Sequence, residues 1–447
     1  MALSITRYTG ATALEKLTRR GVQPEPQLPQ SIIDRNAEIF GRPVTAHEVV
    51  EQVCADVRKD GDVAVRRYTE LFDNRSLETI EVPRAEWDRA LATIDAGLRE
   101  ALELAAERIR AFHQTQVRQS WIDTEEFGIF GQLIRPLQRV GIYTPGGSAA
   151  LPSSLLMTAI PARVAGVEEV IIAAPPRGDE GISDVILAAA AIANVDRVFA
   201  IGGAQAIAAL AYGTESVPQV DKICGPGGLF VALAKQHVSG TVAIDQIAGP
   251  TETLVVADDT ASVELVAADL IAQAEHDPVA SAILVTTSAN LADAVVDELD
   301  RQASELDRED IIRASLINNG VIAVVDTLED AVECANAYAP EHMCLLVSDA
   351  WSLVPKVRNA GGIFVGEASP EALGDYTAGP SHVMPTGGTA RYSSPTNVGD
   401  FQKIISVAAG NEKAIDALGP ATMRIARAEG LTGHAKSIER RMNGNDY

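Results

Sequence analysis

Residues 197–214 read RVFAIGGAQAIAALAYGT. A short apolar run with no polar alternation meets two glycines, and a stretch of small apolar residues long enough for three helical turns follows. The pattern predicts a strand buried on both faces, a tight turn and a buried helix, which is the repeating unit of a parallel sheet covered by helices. The flanking text repeats it. Over 140–251 the predicted order is strand VGIY, turn PGGSAA, helix SSLLMTAIPARVAGV, strand EEVIIAAPP, helix ISDVILAAAAIANV, the opening stretch itself, strand and turn DKICGPGG, and helix LFVALAKQHVSG. A second series follows with ETLVVADD, a helix over 261–276, AILVTTS, a helix from Asn290, GVIAVVD, a helix over 329–338, HMCLLVSD and GGIFVG.

Outside these series the character changes. The first hundred-odd residues are predicted to be mostly helical, with long helices over 49–68 and 84–116 around a short strand LETIEVP, after a polar, Pro-broken start whose EPQLPQ reads as a linker. From Phe401 the chain reads as a helical appendage. With a prior of about 150 residues per domain, the expected division is an extension over 1–37, one α/β domain from 38–139 and 252–397, a second over 140–251, and a tail over 398–447.

Of 447 residues, 47% are hydrophobic and 4% aromatic, and the formal charge is −24. This is a globular composition whose charge repels phosphate backbones and anionic lipid, so no nucleic acid or membrane partner is expected. No apolar leader and no uninterrupted apolar run of about 18 residues occurs, which points to the cytoplasm. The cysteines, Cys54, Cys224, Cys334 and Cys344, lack CxxC spacing and read as buried free thiols.

A parallel sheet with three Gly-rich turns after its strands (YTPGGSAA, AIGGAQ, CGPGG) places a ligand cleft along one sheet edge, although the dinucleotide fingerprint GxGxxG is missing. The polar chemistry lies elsewhere. Of seven histidines, His47, His113 and His237 stand in charged helical text and read as solvent-facing or capping, while His276, His342, His382 and His434 stand in AQAEHDP, YAPEHM, GDYTAGPSHVMP and AEGLTGHAK. Gln273 and His276 are three apart on a helix and can meet one ion, with Glu275 turned aside. Glu341 and His342 are adjacent after a proline, so both reach one cleft only if the backbone bends there. Asp375 and His382 share a Gly-containing loop, and Gly430 and Gly433 break the helix between Glu429 and His434. Imidazole and oxygen donors without a cysteine suggest an open, catalytic zinc or manganese site.

Taken together, FH at 112–113, YTPGG, GGAQAIAALAYGT, DKICGPG, IDQIAGP, AQAEH, YAPEH, GDYTAGPSHVMPTGGTARYSSP and AEGLTGHA, in this order and over essentially the whole chain, resemble the histidinol dehydrogenase family. The resemblance implies two Rossmann-like, aldehyde-dehydrogenase-like parallel-sheet domains without GxGxxG, and a domain-swapped homodimer whose tails reach the partner's site. It implies one zinc ion per subunit on Gln273, His276, Asp375 and His434, and a catalytic pair Glu341 and His342. Substrate contacts would come from Thr251, Gln273, His276, His342, Asp375, His382, Glu429 and His434, and NAD contacts from Tyr143, Gln205 and Gly228. The implied reaction is the NAD-linked oxidation of L-histidinol through L-histidinal to L-histidine, the last step of histidine biosynthesis. A related zinc dehydrogenase of another small alcohol, such as a sulfonated diol, or a non-catalytic zinc-binding homologue, are the alternatives. Two positions depart from the family pattern: Gly228 stands where Asn is usual, and Thr251 where Ser is commoner.

Overall fold

The computed structural model describes residues 3–18, 28–145, 150–176 and 181–442. The predicted linker EPQLPQ, the turn PGGSAA and the chain end RMNGNDY lie partly outside the described residues.

The chain begins with β1 (Thr6–Thr9) and α1 (Gly10–Thr18), then the helices α2 (Gln30–Phe40), α3 (Ala46–Asp60), α4 (Asp62–Asp73), α5 (Arg84–Thr93) and α6 (Ala96–Gln114). Strands β2 (Trp121–Glu125), β3 (Gly128–Pro136) and β4 (Arg139–Tyr143) lead into α7 (Pro152–Ala165), β5 (Glu169–Ala173), α8 (Asp184–Ile192), β6 (Arg197–Phe199), α9 (Gly203–Tyr212), β7 (Lys222–Cys224), α10 (Leu229–Val238) and β8 (Ala243–Ile244). The second series is β9 (Glu252–Ala257), α11 (Val263–Ala274), β10 (Ser281–Thr286), α12 (Ala289–Ala303), α13 (Glu309–Asn319), β11 (Val321–Val324), α14 (Leu328–Tyr338), β12 (His342–Leu346), β13 (Gly362–Val365) and α15 (Glu371–Tyr376). The tail is β14 (Gln402–Gly410), α16 (Glu412–Ala428) and α17 (Thr432–Met442).

Among the described residues these strands form a five-stranded parallel sheet in the order β6-β5-β4-β7-β8, a six-stranded parallel sheet in the order β1-β11-β10-β9-β12-β13, and a three-stranded antiparallel sheet β14-β3-β2. The α/β expectation therefore holds. In the five-stranded sheet the order reverses between β4 and β7, the point at which helices leave for opposite faces and a crevice opens at the carboxyl ends of the strands.

The packing differs from the predicted grouping of 38–139 with 252–397. Trp87, Leu102 and Ile109 of α5 and α6 join α7 and α8 over one face of the five-stranded sheet, against Val140 and Ile172. Val49, Val53 and Val65 of α3 and α4 join α9 and α10 over its other face, against Ile171, Phe199 and Ile223. A buried side chain such as Phe199 contributes about 1.5–3 kcal/mol, and the apolar stripes of the first helices find that gain on the nearer sheet. The predicted extension is likewise integral: β1 pairs in register with β11, and Ala13 and Leu17 of α1 pack with α14 under the six-stranded sheet.

Two predicted helices are each divided. Gly61, at φ +54°, separates α3 from α4; a Cβ there would lie 2.4 Å from the Glu215 carboxylate, which accepts the Asp62 N–H at 2.8 Å. Ile94 and Asp95 separate α5 from α6, where the Asp95 side chain caps the new helix by accepting from the Leu98 N–H. LETIEVP forms no full strand but bonds the edge of β6 through Val82 N–H to Val198 O and Ala200 N–H to Ile80 O. The tail, expected to be helical throughout, begins with the nine residues of β14, paired along all of β3. The IISVAA text of this strand carries β-branched residues, but it is exposed on most positions and lacks the buried alternation that marks a strand.

Candidate active site

Because β9 and β12 are neighbours, their first residues stand side by side: His342 pairs with Thr253 across the parallel ladder, and Thr251, Glu252 and Glu341 lie just before. This is the amino edge of the six-stranded sheet. It faces the carboxyl edge of the five-stranded sheet, and between the two lies a cavity of about 210 Å³ lined by Ser153, Ser154 and Pro226 from one side and by Thr251, His276, Glu341, His342, Asp375 and His382 from the other. The cleft predicted from the Gly-rich turns thus lies along that edge. Gly225, at φ +103°, allows the edge to close up: a Cβ there would lie 2.2 Å from the Tyr143 carbonyl oxygen.

The bend predicted before Glu341 is present. Ala339 is one of three non-glycine residues with positive φ among the described residues, at φ +56°, where it caps α14. Such a conformation costs an L-residue about 1–2 kcal/mol; the chain then enters β12 at the sheet edge, where Glu341 and His342 both line the cavity.

Each of the two is held by β9. Glu341 Oε2 accepts the Thr251 hydroxyl at 2.6 Å and the Glu252 N–H at 3.0 Å. His342 Nδ1 lies 3.2 Å from the Glu252 carbonyl oxygen. A carbonyl can only accept, so Nδ1 carries the proton and the neutral ring keeps its lone pair on Nε2. That Nε2 is buried, has no hydrogen-bond partner, and stands 3.6 Å from Asp375 Oδ1. Burial alone would lower the affinity of the His342 ring for a proton. The carboxylates of Asp375, Glu341 and Glu371 outweigh burial and push the ring up to about 9. Burial works against the Asp375 carboxylate too, but the His342 ring beside it, with His382 and His276, holds it below the usual carboxylate range.

His382 is fixed at both nitrogens: Nδ1–H donates to the Asp375 carbonyl oxygen at 2.6 Å, which leaves Nε2 to accept from the Ser154 hydroxyl at 3.2 Å. Gln273 sits on the last turn of α11, fully buried, with Oε1 2.8 Å from Thr253 Oγ and Nε2 without a partner. The helix ends at Ala274, earlier than predicted, and an N–H···O contact of 3.3 Å from His276 to the Gln273 carbonyl continues the turn, so that His276 stands exposed at the mouth of the cleft.

Among the described residues no three His, Cys, Asp or Glu side chains form a metal-binding group. His276 and Asp375 supply two such donors to the cleft, while the Gln273 amide is buried behind it and is not part of the cavity wall. The other two residues predicted for this site are absent from the cavity wall: Glu429 follows α16, His434 lies in the first turn of α17, and both are exposed. The segment between them breaks as its glycines predict, with Gly430 at φ +75°.

On the other side of the five-stranded crevice, the buried Tyr143 hydroxyl accepts the Gly203 N–H at 3.2 Å, and desolvation pushes it up to about 12. Gln205 Nε2 donates to Asp73 at 3.3 Å while its Oε1 is buried without a partner, and burial raises Asp73 to about 6. Gly228 is the N-cap of α10, offers no side-chain cap, and has open space where a Cβ would be.

Of the remaining predictions, all four cysteines are buried and free. His113 is not solvent-facing: it is fully buried on the inner face of α6 and bonded through Nδ1 to the Ile109 carbonyl at 2.8 Å. Ser154, Thr253 and Glu371 escaped the sequence reading. Thr253 lies on β9 two residues after Thr251, which immediately precedes that strand, and Glu371 precedes Asp375 by four on one helix, a spacing that puts that pair on a shared face.

A family model described as histidinol dehydrogenase matches residues 42–442. The chain is 50% identical over 435 residues to histidinol dehydrogenase of Deinococcus radiodurans, covering 97% of this chain and 99% of that protein. It is 51% identical over 397 residues to the enzyme of Thermus thermophilus, covering 89% and 95%. Among solved structures, histidinol dehydrogenase from Elizabethkingia anophelis superposes with a TM-score of 0.91 at 34% identity over 99% of each chain. No helix among the described residues is long and apolar enough to cross a membrane. With Thr251, His276, Glu341, His342, Asp375 and His382 lining one cleft and these matches along nearly its whole length, the chain belongs to the histidinol dehydrogenase family.

Proposed function

We propose that this dehydrogenase oxidises L-histidinol to L-histidine in two hydride transfers, through bound L-histidinal, with two NAD molecules reduced in turn and one zinc ion per subunit. The observation that carries this reading is the His342 ring, whose Nδ1 is committed to the Glu252 carbonyl while Nε2, without a hydrogen-bond partner, stands 3.6 Å from Asp375 Oδ1 in a cleft that Glu341 also lines.

Zinc would be held by Gln273, His276 and Asp375 together with His434 from a second copy of the chain; when bound, it orients and polarises the polar groups of the substrate. Support for a second copy comes from the tail, which exposes Glu429 and His434 and also leaves large apolar side chains in solvent, among them Ile404, Ile405, Leu418 and Ile425. NAD would lie in the crevice between β4 and β7 near Tyr143, Gln205 and Gly228, accepting hydride when bound. The buried Gln205 Oε1 without a partner and the uncapped start of α10 suit a ligand rich in hydroxyl and phosphate groups.

The protein's own part follows from its hydrogen bonds. His342 must be neutral to accept the alcohol proton at Nε2, and the ring is held protonated chiefly by the Asp375 carboxylate. A cation held by Asp375 would offset that carboxylate's charge and so leave the His342 Nε2 lone pair available. Glu341, anchored through one oxygen by Thr251 and the Glu252 N–H, is placed to draw a proton from water adding to the aldehyde. His342 then serves again as base for the hydrate. His382, Glu429 and Thr251 fix the substrate's polar ends, and a cleft closed between two sheets keeps the aldehyde from escaping.

The test is NADH formation from L-histidinol, followed with and without prior chelation. Absence of NADH with fully metallated protein would refute the substrate assignment, and an undiminished rate after complete metal removal would refute the role of zinc.

A further inference from the structure

Thr253 Oγ stands 2.8 Å from Gln273 Oε1 and in close contact with Glu371 Oε2, all three groups buried. A hydroxyl has one proton and can donate to only one of these two oxygens. On the far side of the same amide, Nε2 carries two protons and has no partner. Turning the Gln273 amide over exchanges its oxygen and nitrogen without changing its shape, and it resolves both conflicts. Nε2–H then donates to Thr253 Oγ, the Thr253 proton goes to a Glu371 carboxyl oxygen, which accepts whether or not the group is ionised, and Oε1 occupies the place of the unpartnered nitrogen. Packing cannot choose between the two directions; the hydroxyl does so when Glu371 is ionised and can only accept.

We infer that Thr253, backed by Glu371, sets the direction of the Gln273 amide and so presents its oxygen, the only end with lone pairs, to a cation. Thr253 and Glu371 are positioning residues that act through Gln273. The inference rests on the reading of Gln273 as a zinc ligand. It also accounts for a buried carboxyl on α15 that touches β9 rather than the cavity, and which burial raises to about 8. An outer partner of this kind contributes about 10- to 100-fold in metal affinity.

The experiment measures zinc affinity of the full-length protein by competition with a chromophoric chelator, and the visible absorption of the cobalt-substituted protein. Thr253→Val, close in shape but without the hydroxyl, is expected to lose 10- to 100-fold in zinc affinity and to shift the cobalt bands, whereas Thr253→Ser keeps both near those of the parent. Glu371→Met, should Thr253→Val not fold, is expected to change affinity in the same direction. Parent-like affinity and unshifted bands in a folded Thr253→Val or Glu371→Met protein overturn the inference. Gln273→Ala separates the two layers: if it loses affinity while Thr253→Val does not, the positioning role alone falls; if it retains full affinity, the ligand assignment falls as well.

Discussion

The Thr251 hydroxyl donates to Glu341 Oε2 across 2.6 Å, and the Glu252 N–H donates to the same oxygen. One carboxylate oxygen is thereby tied to β9, and the orientation of the whole group is fixed before any substrate arrives. If Glu341 activates water in the second oxidation, Glu341→Gln keeps the anchoring bonds and removes only the basicity. Oxidation of L-histidinal is expected to slow by about 10²- to 10⁴-fold, while a single turnover of L-histidinol yields one NADH at a rate near that of the parent. Rapid-mixing absorbance with each substrate measures both; equal slowing of the two steps assigns Glu341 elsewhere.

His276 stands at the mouth of the cleft, where it can be removed without opening a core cavity. His276→Ala is expected to lower zinc content after dialysis to a small fraction of the parent's with little change in melting temperature of the metal-free form. Elemental analysis and a thermal melt give the two numbers, and full retention of zinc excludes His276 as a ligand.

Glu429 and His434 are exposed on a chain whose Thr251, His276, Glu341, His342, Asp375 and His382 line one cleft. If a second copy receives them, Glu341→Gln and His434→Ala proteins are each nearly inactive alone, yet after joint unfolding and reassembly at equal amounts about a quarter of parental activity returns, since half of the dimers are mixed and each carries one intact site. No recovery, with dimers shown to have exchanged, means the tail serves its own chain.

At Gly228 a Cβ meets open space, and the backbone lies at φ −65°, which any residue adopts. Gly228→Asn caps α10 and adds a hydrogen-bonding amide beside the crevice, a contribution of about 0.5–1.5 kcal/mol. The KM for NAD is expected to fall by about 3- to 10-fold, with kcat little changed, in initial-rate assays at saturating alcohol.

Asp73 is raised by burial to about 6 from a usual value near 3.8. Its raised value means the folded form resists ionisation, so the contribution of Asp73 to stability is most favourable below about pH 4, declines as the pH climbs towards 6, and stays lower above. Asp73→Asn removes that decline. It is expected to stabilise the protein by about 1–2 kcal/mol at pH 7.5, after allowance for solvent at a half-buried site, and to leave it unchanged near pH 3.5. Denaturant melts at the two pH values make the comparison.

Much of this architecture is legible in single segments because buried parallel strands and their helices carry their own periodicity: the opening 197–214 stretch folds as β6, turn and α9 as read. What escaped depends on partners far along the chain. The helices of 46–114 have apolar stripes, but nothing in a stripe says which sheet it will cover, and β14 is exposed on most positions, so its ladder to β3 leaves little pattern. At the site, the histidines and Glu341 were visible in unusual local text, and the bend at Ala339 could be anticipated from the need for both side chains in one cleft. Thr253 and Glu371 were not, since a threonine within ETLVVA and a glutamate within SPEALG look like ordinary strand and helix residues until the fold brings them together.

The cleft is roofed by the outgoing ends of one sheet and floored by the incoming ends of another. Loops that leave β4 and β7 can lengthen or change sequence without disturbing the register of β9 with β12, because no ladder runs between the two sheets among the described residues. Evolution can therefore reshape the upper wall as an independent module while the reactive floor keeps its spacing, and a designer altering preference for the larger ligand has a separate piece of chain on which to work.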